Sequence, residues 1–97
     1  MTTIDFARIN AAALAVIPSL VARWLPGGRQ EGNEWVALNP RRADRRAGSF
    51  RINLATGKWA DFATNDRGGD VVSLAAYLAN TDQVTAARQL ADMLGVR

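Results

Sequence analysis

The chain has 97 residues, room for one small domain, and its 48% hydrophobic and 22% charged content is that of a chain that folds rather than one that stays disordered. It contains no cysteine and no histidine, which excludes disulfides, Cys/His zinc sites, thiol nucleophiles, Ser-His-Asp triads and imidazole acid–base chemistry together. The net charge is +3, but residues 41–58 alone carry +5 (Arg41, Arg42, Arg45, Arg46, Arg51 and Lys58 against Asp44), while residues 1–40 sum to zero and residues 59–97 to −2.

Thr3-Ile4-Asp5 offers a capping residue before a helix through Phe6, Ile9, Ala13, Leu14 and Val16–Ile17, an apolar spacing in an alanine-rich stretch. Its longest apolar run, Ala11 to Ile17, is seven residues, far short of the ~20 a membrane span needs. Asp5 and the lack of an Ala-x-Ala site speak against a signal peptide, so a cytoplasmic protein with no membrane partner is expected. Pro18 either kinks this helix or opens a second one carrying Leu20, Val21 and Trp24, and Pro26-Gly27-Gly28 closes the helical N-terminus, residues 1–25.

The period then changes to two. Glu34–Leu38, Ser49–Leu54 and Lys58–Phe62 read as strands, with Trp59 and Asp61 on the face opposite Lys58 and Ala60. They predict a three-stranded antiparallel sheet over residues 33–64, with a long arginine loop, 39–48, as its first connection. Asp70 after Gly68-Gly69 caps a helix through Val71, Leu74 and Leu78. Asn80 breaks it, Thr81 caps a last helix through Val84, Leu90 and Leu94, and Gly95 stops that helix, placing two helices over 70–95. The expected fold is one α+β domain, residues 1–97, with a small sheet packed against N- and C-terminal helices.

Chemistry is sparse. Gly68-Gly69-Asp70 lacks the lysine and hydroxyl of a phosphate loop and reads as a turn with its cap. The spacing of Asp61, Asp66 and Asp70 matches no calcium loop, so they read as surface turn aspartates, and an enzyme would need an acid–base pair such as Asp61 with Asp66. Trp24, Trp35 and Trp59, with Phe50 and Phe62, are the possible stacking platforms, but most are needed for the core of so small a domain, leaving at most one, Trp59 or Trp35, to face a ligand. The arginine cluster is the distinctive feature, because arginine suits bidentate phosphate contacts and four like charges within six residues favour an anionic partner.

The order of residues resembles the N-terminal zinc-binding domain of bacterial and phage replicative primases, in the cysteine-free version of phage and plasmid primase–helicase proteins. The resemblance runs from about Ile17 to Val96 and is carried by Asn39-Pro40-Arg41-Arg42, Ser49-Phe50-Arg51-Ile52, Gly57-Lys58-Trp59-Ala60-Asp61-Phe62-Ala63-Thr64 and Gly68-Gly69-Asp70-Val71-Val72-Ser73-Leu74. It implies a zinc-ribbon-like sheet and template-strand binding for a separate catalytic domain. The four metal-ligand positions fall on Asn39, Arg42, Asp61 and Thr64, which make no tetrahedral N/S site, so zinc is not expected and the N-terminal helix and tryptophans are expected to stand in for it.

The resulting expectation is a non-catalytic, metal-free, cofactor-free module that binds nucleic acid, single-stranded DNA above all, in phage or mobile-element DNA replication. Arg41, Arg42, Arg45 and Arg46 contact phosphates, Arg51 and Lys58 extend the basic strip along the sheet, and Trp59 stacks on a base. Six such cations on a single strand predict a slope of log K against log salt of roughly −4. The alternative is a protein–protein module that docks on a helicase, primase or polymerase, or inhibits a host nucleic-acid enzyme, with the C-terminal helices carrying Asp82 and Asp92 as docking face.

Overall fold

The computed structural model describes residues 3–42 and 48–96. Helix α1, Phe6–Leu14, is capped by Asp5, whose carboxylate accepts the backbone N–H of Arg8 at 3.0 Å. Helix α2, Ile17–Trp24, has Pro18 in its first turn and leaves α1 at 83°, so the proline opens a second helix rather than bending one. Among the described residues no single helix is long and apolar enough to cross a membrane.

The sheet is a five-stranded antiparallel meander in sequence order: β1 Arg29–Glu31, β2 Glu34–Ala37, β3 Phe50–Asn53, β4 Trp59–Asp61 and β5 Asp66–Gly68. The three expected strands are its centre. The correction is at both edges, where Arg29-Gln30-Glu31 and Asp66-Arg67-Gly68 pair through backbone alone and lack the apolar alternation by which a strand is read from sequence. Helices α3, Val71–Ala79, and α4, Gln83–Leu94, complete the chain. Asp70 caps α3 as expected, accepting from the N–H of Ser73 at 2.8 Å. The cap of α4 is Asp82 and not Thr81, its carboxylate accepting from the N–H of Thr85 at 2.7 Å.

Alternation along the strands divides the sheet. Trp35, Ala37, Phe50, Ile52, Trp59 and Asp61 share the inner face, and its apolar members join Ile9, Ala13, Ile17, Leu20 and Val21 of α1 and α2 and Val72, Leu74, Ala87 and Leu90 of α3 and α4 in one core. Helix α1 packs on both α3 and α4, and the Asn10 side chain accepts the N–H of Val72 at 2.9 Å, satisfying a donor in the first turn of α3. The opposite face contributes nothing to that core.

Two glycines are required by this packing. Gly68 lies across from Trp59 in the register, and any Cβ there would run into the indole and the Ser73 hydroxyl it donates to. Gly57, in the β3–β4 turn, has φ +80° and lies against Val71, the first residue of α3, where a Cβ would come within 3.2 Å. Gly57→Ala is expected to cost about 1–3 kcal/mol. That lowers Tm by roughly 5–15 °C in thermal denaturation, while Gly27→Ala, with open space around it, shifts Tm by less than about 2 °C.

Candidate functional site

The arginine loop leaves the sheet between β2 and β3, and its neck is built around one carboxylate. Asp61 is the inward residue of β4 at the loop end of the sheet and has no solvent exposure, so it is not a surface turn aspartate. A buried charge has to be answered in full. Arg42 supplies the answer, donating Nε to Oδ2 at 2.7 Å and Nη2 to Oδ1 at 3.3 Å, and Nη2 also donates to the Ser49 hydroxyl at 2.7 Å. The Asn39 amide donates to Oδ2 at 2.8 Å, and the Ala63 N–H to Oδ1 at 2.9 Å. One guanidinium therefore ties the start of the loop, its end and β4 together.

Asn39, only 1% exposed, spends its remaining groups in the same network. Its amide also donates to the Tyr77 hydroxyl at 2.8 Å, its carbonyl accepts the Arg41 N–H at 2.9 Å, and Tyr77 passes its own proton donor to Asp66 at 2.8 Å. Among the described residues no buried side-chain polar atom lacks a partner. Burial pushes the Asp61 carboxyl up, but the bonds from Arg42, Asn39 and Ala63 and the charge of Arg42 outweigh it and hold the group well below the usual carboxylate range. Burial raises the Tyr77 phenol, and the Asp66 carboxylate adds to that while Asn39 opposes it.

Three of the four positions that the resemblance equates with metal ligands, Asn39, Arg42 and Asp61, are the residues of this cluster. Their donor set does not fit zinc, because a guanidinium occupies both carboxylate oxygens on which a cation would sit. Thr64 approaches only through its backbone, its N–H donating to the Asp61 carbonyl at 3.3 Å.

The expected phosphate contacts separate. Arg42 belongs to the clasp. Arg41 is docked on α3, with Nη1 donating to the Tyr77 carbonyl at 3.2 Å and Cζ 4.9 Å above the Tyr77 ring. Arg45 and Arg46 lie outside the described residues. Arg51 and Lys58 are outward on the sheet, Arg51 donating to Glu34 at 3.1 Å and to the Gly48 carbonyl at 2.9 Å, and Lys58 exposed in the β3–β4 turn. Trp59 is the clearest correction. At 5% exposure it is core, 4.5 Å from the Tyr77 ring centroid and edge-on to Phe50, with its indole N–H on Ser73 at 2.9 Å, so no base can stack on it.

The outer face holds what the sequence reading missed. Arg29, Val36, Arg51, Ala60 and Arg67 lie in one register row across all five strands, so three arginines stand on alternate strands about 10 Å apart. Glu31 and Glu34 hold Arg29 and Arg51 at 2.7 and 3.1 Å, whereas Arg67, on the β5 edge, meets no carboxylate among the described residues. Phe62, just past β4 and paired by its N–H with the Ser49 carbonyl at 2.8 Å, is 72% exposed. Its position was legible: the alternation that sends Trp59 and Asp61 inward sends Ala60 and Phe62 outward.

No family model, curated protein or solved structure matches this chain.

Asp61→Asn keeps the shape of the side chain and removes the buried charge that the Arg42 guanidinium meets at 2.7 Å. It is expected to lower stability by about 3 kcal/mol, the low end for a broken buried pair because Arg42 is partly exposed, or roughly 10–20 °C in Tm. Because the folded carboxyl titrates below its unfolded value of about 4, its contribution is present at neutral pH and is lost as pH falls from about 4 toward the folded value. Urea midpoints measured down to pH ~2 should therefore fall steeply in the parent and more gently in Asp61→Asn; parallel curves would show that Asp61 does not carry the acid sensitivity.

Proposed function

We propose that this domain is a non-catalytic nucleic-acid-binding module whose ligand is single-stranded nucleic acid, DNA in the first instance, and that the outer face of the sheet with the arginine loop is its binding surface. The carrying observation is the 72%-exposed Phe62, one residue past β4 and bonded by its N–H to the Ser49 carbonyl at the end of the arginine loop, following a strand whose outward residue Ala60 pairs with Arg51 and Arg67. A bare aromatic flanked by cations is what base stacking with phosphate contact requires. The two carboxylates an acid–base reading would use are both committed, Asp61 to Arg42 and Asp66 to Tyr77, which favours binding over catalysis. A setting in phage or mobile-element DNA replication rests on the primase-domain resemblance.

The roles differ from a simple tally of cations. Arg42 acts through the loop neck and Arg41 lies on α3, so the phosphate contacts fall to Arg45, Arg46, Lys58 and Arg67, with Arg51 already held by Glu34. Four single-strand contacts give a slope of log K against log salt of about −3, less steep than six would give.

Fluorescence anisotropy with labelled single-stranded and duplex DNA at several salt concentrations tests this. Arg45→Ala with Arg46→Ala is expected to halve the slope, to about −1.4. Phe62→Ala should weaken single-strand binding by about tenfold at an unchanged slope and unchanged Tm, since a stacked base is worth about 1–3 kcal/mol. Absence of binding at low salt would overturn the reading and make the basic loop a protein-docking element.

A further inference from the structure

On the side of the molecule away from the outer sheet face, α3 and α4 leave an open apolar groove of about 440 Å³. The buried Ala86 and Leu90 lie deepest in it, and Ala75, the exposed Ala79, Trp24 and the 45%-exposed Met93 complete its lining. On α4 the lining residues recur at the three-, four- and seven-residue spacing of one helical stripe. From Ala86 to Met93 that stripe is about 10 Å long, two turns of a helix laid alongside. The alanines let a backbone come close, and the large side chains give an apolar stripe a surface to pack against.

The ends of the groove carry charge of one sign. At the Met93 end, the Arg23 guanidinium lies 3.8 Å from the Met93 sulfur. At the other, Arg41 is fixed on the Tyr77 carbonyl and ring, with its neighbour Pro40 lining the groove. Neither arginine meets a carboxylate among the described residues. Arg88 and Asp92, four residues apart on α4, add no net charge between them. We infer that this groove receives an amphipathic helix of a protein partner, with an apolar stripe over Ala79 and Leu90 and carboxylates about two turns apart that pair with Arg23 and Arg41. A second copy of this chain does not supply such a helix, since none of its four helices carries acidic residues seven apart. The inference does not rest on nucleic-acid binding, although Pro40 and Arg41 at one end of the groove also open the arginine loop.

Two helical peptides of about 15 residues with the same apolar stripe, one with glutamates and one with lysines seven residues apart, test it against the full-length protein by NMR titration of the Trp24 indole. The glutamate peptide should move that resonance with a Kd below about 100 μM, and the lysine peptide should bind at least about tenfold more weakly. Arg23→Glu with Arg41→Glu should invert the preference, and Arg23→Gln with Arg41→Gln should abolish it, both read as the ratio of the two peptides' affinities for one folded variant, which the stability lost with the Arg41–Tyr77 contacts does not move. A Trp24 resonance unmoved by either peptide, a preference indifferent to these substitutions, or a shift that appears with protein concentration alone and so marks self-association, would each overturn the proposal.

Discussion

The Asp61 carboxylate, sealed from solvent on the inner face of β4, is the demand around which the loop end of this domain is organised. In an interior of low dielectric an uncompensated carboxylate is not tolerated, and neutralising it by protonation would give up the ion pair and weaken the hydrogen bonds it accepts. The chain answers with one guanidinium and two N–H donors. Because Arg42 and Asn39 come from one end of the loop, Ser49 from the other and Asp61 from the neighbouring strand, satisfying the charge also sets the spacing of β2, β3 and β4 there. Asn39 then hands the constraint to Tyr77 and so to α3, where the ring packs on Trp59 and Phe50. Polar network and aromatic core are thus joined through a single side chain, and the position of the helix layer over the sheet follows from both.

Much of this fold was legible in the sequence, and the parts that were not share a cause. Aspartates before apolar-periodic runs marked the starts of α1 and α3, and alternation marked β2, β3 and β4. The edge strands β1 and β5 were invisible because an edge needs only backbone pairing from its neighbour, and their polar side chains, at every position but Gly68, guard them against pairing further. Asp61 was misread as a turn residue because composition says an aspartate belongs in water. The partner that reverses this rule lies nineteen residues away and is itself one of a cluster that reads as a ligand surface. Trp59 was offered as a stacking residue although it shares a strand face with Asp61, and misreading Asp61 as a surface residue left that face's inward direction unseen.

The basic block illustrates how little a local sum of charges says about roles. Within it, Arg42 closes the loop neck, Arg41 lies along a helix, and Arg51 is matched by Glu34 across the neighbouring strand. Arg67, outside the block and on a strand that the sequence did not announce, presents a charge with no carboxylate against it. Net charge draws an anion toward the molecule over a Debye length, but what holds the anion in place is the subset of cations that the fold leaves unmatched. Here that subset is set by the register: the outward row puts Arg29 and Arg51 within reach of Glu31 and Glu34, and puts Arg67 opposite Ala60.

The same division explains why the two surfaces are separable. The outer face draws its geometry from strand pairing, and the groove draws its own from the packing of α3 on α4, with Tyr77 and Pro40 at the boundary between them. A clasp made of an ion pair has a further consequence at that boundary. The clasp depends on the ionised state of the carboxylate that Arg42 and Asn39 hold, so it weakens as that group is protonated. Asn39 and Tyr77 are the point at which such a change would pass from the loop neck to α3, while the strand register and the packing of α3 on α4 rest on other contacts.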